Sequence, residues 1–195
     1  MRELVVGISG ASGAIYGIRL LEALREVDDL RTHLVISSAA RSTIDLETDF
    51  SVSQVAALAD ETYGFRDVAA RISSGSFKTI GMVIIPCSMR SLAGVACSYS
   101  DNLLLRAADV TLKDNRQLVL AVRESPIHLG HARLIVQTIE MGAQIMPLMP
   151  AFYHQPKTID DLINQSVNRV ADLLGVTLNE DLFLRWQGRN SVVTS

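Results

Sequence analysis

The chain has 195 residues, with 18 Lys and Arg against 21 Asp and Glu and a formal net charge of −3. That balance gives no basic footprint for nucleic acid, and the longest apolar run, around residues 82–85, is far short of the ~20 residues a membrane helix needs. Hydrophobic residues make up 48%, enough to fill one core and to leave apolar surface for contacts between subunits.

Leu4-Val5-Val6-Gly7-Ile8 opens a buried strand over 4–9. It breaks at Gly10-Ala11-Ser12-Gly13 and restarts as a helix over 14–26. Such a turn presents free backbone N–H groups and the positive end of the helix dipole, which suits a phosphate or an electron-rich ring. Glycine permits close approach, and Ser9 and Ser12 add hydroxyls. The spacing Gly7, Gly10, Gly13 is not that of the dinucleotide fingerprint, and a simple tight connection would give the same pattern.

Further strands are expected at 32–36, 82–86, 118–122 and 144–148, each apolar on both faces, as in a parallel sheet covered by helices. Helices are expected at 39–45, 51–59, 88–96, 102–113, 126–141 and 159–174. Ser125 before Pro126 reads as an N-cap with proline at the first helical position. Thr158 with Asp161 reads as a capping box, and Gly142 and Gly175 read as helix stops. The alternation argues for a single doubly wound α/β domain with a loose tail over 189–195. No basic start precedes a long apolar stretch, as a secretory signal would require. Cys87 and Cys97 form neither a CxxC nor a metal spacing. A reducing cytoplasm is the expected compartment.

Ligands of open α/β sheets bind beyond the carboxyl ends of the strands. Those ends carry Gly10 to Gly13, Ser37-Ser38, Cys87-Ser88-Met89-Arg90-Ser91, Arg123-Glu124, and Met149 to Tyr153. Arg123-Glu124 offers a cation beside a carboxylate able to move a proton, or else a strand-end ion pair. Arg106, Asp109 and Lys113 form a polar stripe on an otherwise apolar helix, either a solvated face or the wall of an anionic pocket. Arg169 borders an apolar stripe, from which it either snorkels to solvent or forks onto a phosphate. Tyr153 stands in an irregular stretch between Pro150 and Pro156, suited to a binding loop or to burial. Trp186 caps a pocket or an interface. His33 falls in a strand, and His128 and His131 lack a third ligand nearby, so no metal site is read. Cys87 has no histidine placed to activate it and reads as a buried, inert thiol.

Gly7-Ile8-Ser9-Gly10-Ala11-Ser12-Gly13-Ala14, Pro86-Cys87-Ser88, Arg106-Ala107-Ala108-Asp109-Val110, Val122-Arg123-Glu124 and Phe152-Tyr153-His154-Gln155-Pro156 together resemble the UbiX-type flavin prenyltransferases. The resemblance runs in order from about residue 3 to residue 188, the extent of the domain. It implies a flavodoxin-like Rossmann fold, a homo-oligomer that is commonly a dodecamer built from trimers, and no metal ion. It implies reduced FMN and dimethylallyl phosphate as substrates. The implied product is FMN prenylated at N5 and C6, handed to a UbiD-type decarboxylase.

Carried over by position, Gly10, Ala11, Ser12, Ser37, Ser88, Met89, Arg90, Ser91 and Arg123 would contact FMN. Tyr153 and Arg169 would hold dimethylallyl phosphate, with Lys113 and Arg106 in support. Glu124 would move the proton, with Ser12 near the reacting centre and Trp186 covering the site. Lys113-Asp114-Asn115-Arg116 departs from the family's frequent Lys-Glu-Arg-Arg, and Arg90 stands where other residues also occur. Two other functions stay open at this stage: an FMN-dependent decarboxylase acting directly on an aromatic acid, and a subunit that only carries FMN. Partner decarboxylases of the UbiD type serve ubiquinone biosynthesis or the degradation of aromatic acids, and the resemblance implies one of these two roles.

Overall fold

Successive residues of a strand point to opposite sides of a sheet, and here both sides are apolar. In the computed structural model, which describes residues 1–188, β1 (Arg2–Ile8) sends Leu4, Val6 and Ile8 into one core and Val5 into the other. The same alternation runs through β2 (Leu30–Ile36), β4 (Gly81–Cys87) and β5 (Gln117–Val122). With β3 (Glu61–Tyr63) and β6 (Gln144–Ile145) as edges, all pairs are parallel and the order is β3-β2-β1-β4-β5-β6. The tail expected over 189–195 lies outside the described residues.

Helices α1 (Ala14–Arg25) and α7 (Ile159–Leu173) fill one side, and α4 (Met89–Ala96) and α5 (Leu103–Lys113) the other. Each fully buried Leu or Ile there contributes roughly 1.5–3 kcal/mol. Helices α2 (Ser38–Glu47) and α3 (Val52–Ala56) lead from β2 to β3. Helix α6 (Leu129–Glu140) rests on α4 and leaves Leu129, Val136 and Ile139 exposed.

Several expectations need correction. Strand β3 has only three residues and no apolar run, so periodicity could not reveal it. Helix α6 begins at Leu129, not 126: its N-cap is His128, whose Nδ1 accepts from the backbone N–H of Gly130 at 3.0 Å. Ser125-Pro126 belongs to the preceding loop. Helix α3 stops at Ala56, short of residue 59. Regular pairing in β6 ends at Ile145, although Met146 N–H donates to Leu120 O and Leu148 N–H to Val122 O, both at 2.9 Å. Pro147 between them has no N–H to offer. The Thr158–Asp161 capping box forms as read, and Gly142 and Gly175 take positive φ at their helix ends.

His33 is fully buried, with Nε2 at 2.6 Å from Glu3 Oε2 and Nδ1 at 2.9 Å from the Tyr63 hydroxyl. It ties the first three strands together. Ser9 is also internal: its hydroxyl donates to Pro86 O and accepts from Ser88 N–H, each at 2.8 Å. The hydroxyl read as facing a ligand instead stitches β1 to β4.

Candidate functional site

Strand order reverses between β1 and β4, and three helix N-termini meet there. Gly13 caps α1 in a left-handed conformation, φ 98°, that costs glycine little. Its N–H donates to Glu47 Oε2 at 2.7 Å, so a carboxylate from the end of α2 already sits on that positive helix end. Ser37 caps α2, its Oγ accepting from Ala40 N–H at 3.1 Å. Ser88 caps α4 by accepting from Ser91 N–H at 3.3 Å, and its hydroxyl donates to Ser91 Oγ at 3.2 Å.

A cavity of about 990 Å³ opens beside these ends. Gly10, Ser37, Ser88, Arg90 and Ser91 line it, with Leu104 and Leu105 as an apolar wall. Gly10 is required by crowding: a Cβ there would collide with the Ala39 Cβ, so the turn after β1 rests directly on the start of α2. Of the other residues expected at a flavin, Ala11 is buried and Ser12 exposed in the adjoining turn, and Met89 is buried at the start of α4. Arg123 and Glu124 are exposed at the carboxyl end of β5, where Arg123 N–H donates to Cys87 O at 3.1 Å. Burial raises the Tyr16 phenol, and the charge of Arg123 opposes that shift. Glu124 Oε1 accepts from Ser125 N–H at 3.1 Å. Helix ends for a phosphate, an apolar wall for a ring, and arginines at the rim together fit FMN.

Tyr153 and Trp186 gather elsewhere, on a patch with His154 and Phe183. The Tyr153 ring meets Trp186 edge-on at 6.0 Å and Phe183 at 6.5 Å. Nearby on α7, Arg169 Nη1 donates to Asp172 Oδ2 at 2.8 Å. Arg185 and then Arg169 hold the Asp172 carboxyl below the usual carboxylate range, against the opposing effect of burial. Helix α7 packs with α1, across the sheet from α4 and α5.

Arg106 and Lys113 occupy a third place. Arg106 Nε donates to Ser73 O at 3.1 Å and its Nη1 to Asp109 at 2.9 Å. Lys113 pairs with Asp114 at 2.9 Å, not with Asp109. Helix α5 runs back from the carboxyl end of the sheet, so Lys113 lies about 16 Å along its axis from the N-cap Asn102. Within one chain, neither Arg106, Lys113, Tyr153, Arg169 nor Trp186 lines the cavity.

Sequence reasoning missed Phe65, Arg66 and Val68, which line the cavity just after β3, and Tyr99, Asp101 and Asn102, which also line it; the two segments join where Leu103 N–H donates to Phe65 O at 2.9 Å. It also missed Glu47, Asp172 and Arg185. The Cys87 thiol is pushed up to about 12 by burial and is inert at neutral pH. The His128 and His131 rings lie 3.6 Å apart, yet among the described residues no three His, Cys, Asp or Glu side chains gather as metal ligands.

A family model described as Flavoprotein matches residues 1–172. Flavin prenyltransferase UbiX of Escherichia coli strain K12 is 64% identical over 188 residues, which covers 96% of this chain and 100% of that protein. The solved structure of AnUbiX in complex with FMN and dimethylallyl pyrophosphate superposes with a TM-score of 0.92 at 45% identity, covering 96% of this chain and 98% of that one. A dodecameric FMN-dependent UbiX-like decarboxylase from Escherichia coli O157:H7 superposes with the same score at 49% identity, covering 95% and 100%.

Proposed function

The chain belongs to the UbiX-type flavin prenyltransferases, and from that membership we propose that it joins the dimethylallyl group of dimethylallyl phosphate to reduced FMN at N5 and C6. The observation that carries this reading is a division of labour. A cavity built from helix N-termini suits the flavin, while two further places, one with Arg169 and Tyr153 and one with Arg106 and Lys113, supply cations and a tyrosine for a second phosphate. A module that only stores flavin has no use for those further groups.

The reduced flavin, when bound, supplies the nucleophilic ring atoms. Ser37 and Ser88 hold the helix ends that receive it, and Arg90 and Arg123 add charge at the rim. Arg169, Arg106, Lys113 and Tyr153 donate to the phosphate as it leaves and stabilise the charge it takes away. Trp186 covers the electrophile and keeps water out. Glu124, one residue beyond Arg123, shuttles the proton: as the second bond closes, the prenyl double bond takes up a proton and the ring carbon gives one up, and Ser12 lies in the turn beside the reacting centre. Holding the two reactants in register supplies ~7 kcal/mol or more of the barrier reduction.

These residues do not converge within one chain, so the working site is assembled from neighbouring copies of a homo-oligomer, in our reading a dodecamer. The exposed apolar residues of α6 supply surface for that assembly. The product passes to a UbiD-type decarboxylase in the cytoplasm. Among the described residues no helix is long and apolar enough to cross a membrane.

The test is the mass of flavin extracted after incubating protein, reduced FMN and dimethylallyl phosphate. A gain of one five-carbon unit supports the proposal. Unchanged FMN, together with CO₂ released from an aromatic acid in the absence of any partner, would replace it with direct decarboxylation. A parallel incubation with the pyrophosphate decides which donor is used.

A further inference from the structure

We infer that Asp172 and Arg185 are a positioning pair for the prenyl-phosphate end of the site: one carboxylate aims Arg169 and docks the segment that carries Trp186. The inference rests on reading Arg169 and Tyr153 as the residues that hold the donor.

The two arginines on Asp172 differ in what they have left to give. Arg185 makes a fork, with Nη1 to Oδ2 and Nη2 to Oδ1, both at 2.9 Å. It grips Asp181 as well, through Nε at 2.7 Å and Nη2 at 2.6 Å. Its planar donor set is satisfied by two carboxylates, so it has little capacity for a ligand. Arg169 gives Asp172 only Nη1, at 2.8 Å. Its Nε and Nη2 make no hydrogen bond among the described residues and are available for a phosphate.

The fork on Asp172 also sets where the chain runs next. Asn168, buried one turn earlier on α7, accepts Leu182 N–H at 2.8 Å. Arg185 lies over Phe183, 5.9 Å from its ring centre, and Trp186 follows immediately, edge-on to Tyr153. Trp186 is 63% exposed and Tyr153 47%. Burial alone therefore does not hold the two rings together, and the ion pair supplies the anchor.

Sharing one carboxylate between two guanidinium groups has a chemical use. When a phosphate draws Arg169 away, Arg185 still neutralises Asp172, and no half-buried charge is left unpaired. Arg169 can then exchange partners without releasing the Trp186 segment.

Asp172→Asn, Arg185→Gln and the double variant test this in the full-length oligomer. Asp172→Asn is expected to raise KM for dimethylallyl phosphate about tenfold, to change kcat less, and to leave FMN affinity within about twofold. The double variant should be no worse than Asp172→Asn alone, because the two residues act as a unit. Arg185→Lys, which keeps the charge but loses the fork, should fall between wild type and Arg185→Gln. Trp186 is the chain's single tryptophan, so its emission reports the docked segment without any turnover. That emission should differ between wild type and Asp172→Asn, and inorganic phosphate should leave it unchanged in the wild type, where Arg185 keeps the segment docked. An unchanged donor KM with unchanged emission overturns the inference, as does a loss of FMN binding equal to the loss of donor use. Wild-type protein that forms no prenylated flavin overturns the donor reading instead, and the emission comparison then decides the clamp alone.

Discussion

The cavity at the strand-order reversal and the patch around Tyr153 and Arg169 are built by opposite means. The cavity is mainly backbone: helix ends fixed by the caps Ser37 and Ser88, and a turn pressed against Ala39 at Gly10. The strands beneath it are fully buried, so its shape is set before any ligand arrives. The patch is made of side chains: exposed rings and guanidinium groups held by carboxylates on α7 and the segment after it. In the proposed site, the flavin end is therefore preorganised by the fold, whereas the donor end depends on ion pairs and on a neighbouring copy.

The sharpest attempt to break that division is Glu124→Gln. It should lower prenyl transfer by about 10²–10⁴-fold, the usual weight of a positioned acid or base, while FMN titrated by fluorescence binds as before. Lost flavin affinity would place Glu124 in the preorganised half. Arg169→Ala should act on the other half, raising KM for dimethylallyl phosphate by about ten- to a hundredfold with FMN binding unaltered. An unaltered donor KM would remove Arg169 from the site.

Smaller effects sharpen the contrast. Ser37→Ala removes a helix cap and should lower unfolding stability by ~1 kcal/mol in denaturant titration, with a matching loss of FMN affinity and no change in donor KM. Acid should spare the cavity and release the patch. Asp172 titrates below the ordinary carboxylate range because of Arg185 and Arg169. Its contribution to stability is therefore complete above about pH 4 and is lost only as pH falls through the lowered value. Trp186 emission should stay constant from pH 8 to about pH 5 and change below about pH 4. A change centred near pH 6 would mean that another group holds the segment.

The sequence made the frame readable because Leu4, Val6 and Ile8 against Val5, and the same alternation in later strands, leave no solvent-facing side. The cavity's near wall was readable for the same reason, since small residues after buried strands mark the carboxyl ends. Its far wall was not, because Phe65 and Arg66 follow a strand too short to show a period. Ser125-Pro126 carried a helix-start signal that a loop satisfies equally well. Ser9 was misjudged because its partners, Pro86 and Ser88, lie almost eighty residues away in sequence. Arg169 and Asp172 are one helical turn apart and stand on the same face, but nothing local announces that Arg185 returns to the same carboxylate.

In the proposed site, cavity and patch meet only between copies. Co-expression of Glu124→Gln and Arg169→Ala chains, followed by an assay of the purified mixed oligomers, tests this. If different chains supply the two residues, some sites receive both wild-type side chains, and at a donor concentration below the KM of Arg169→Ala the mixture forms prenylated FMN faster than either parent. If one chain supplies both, every site lacks one of them, and the mixture is no faster than its more active parent.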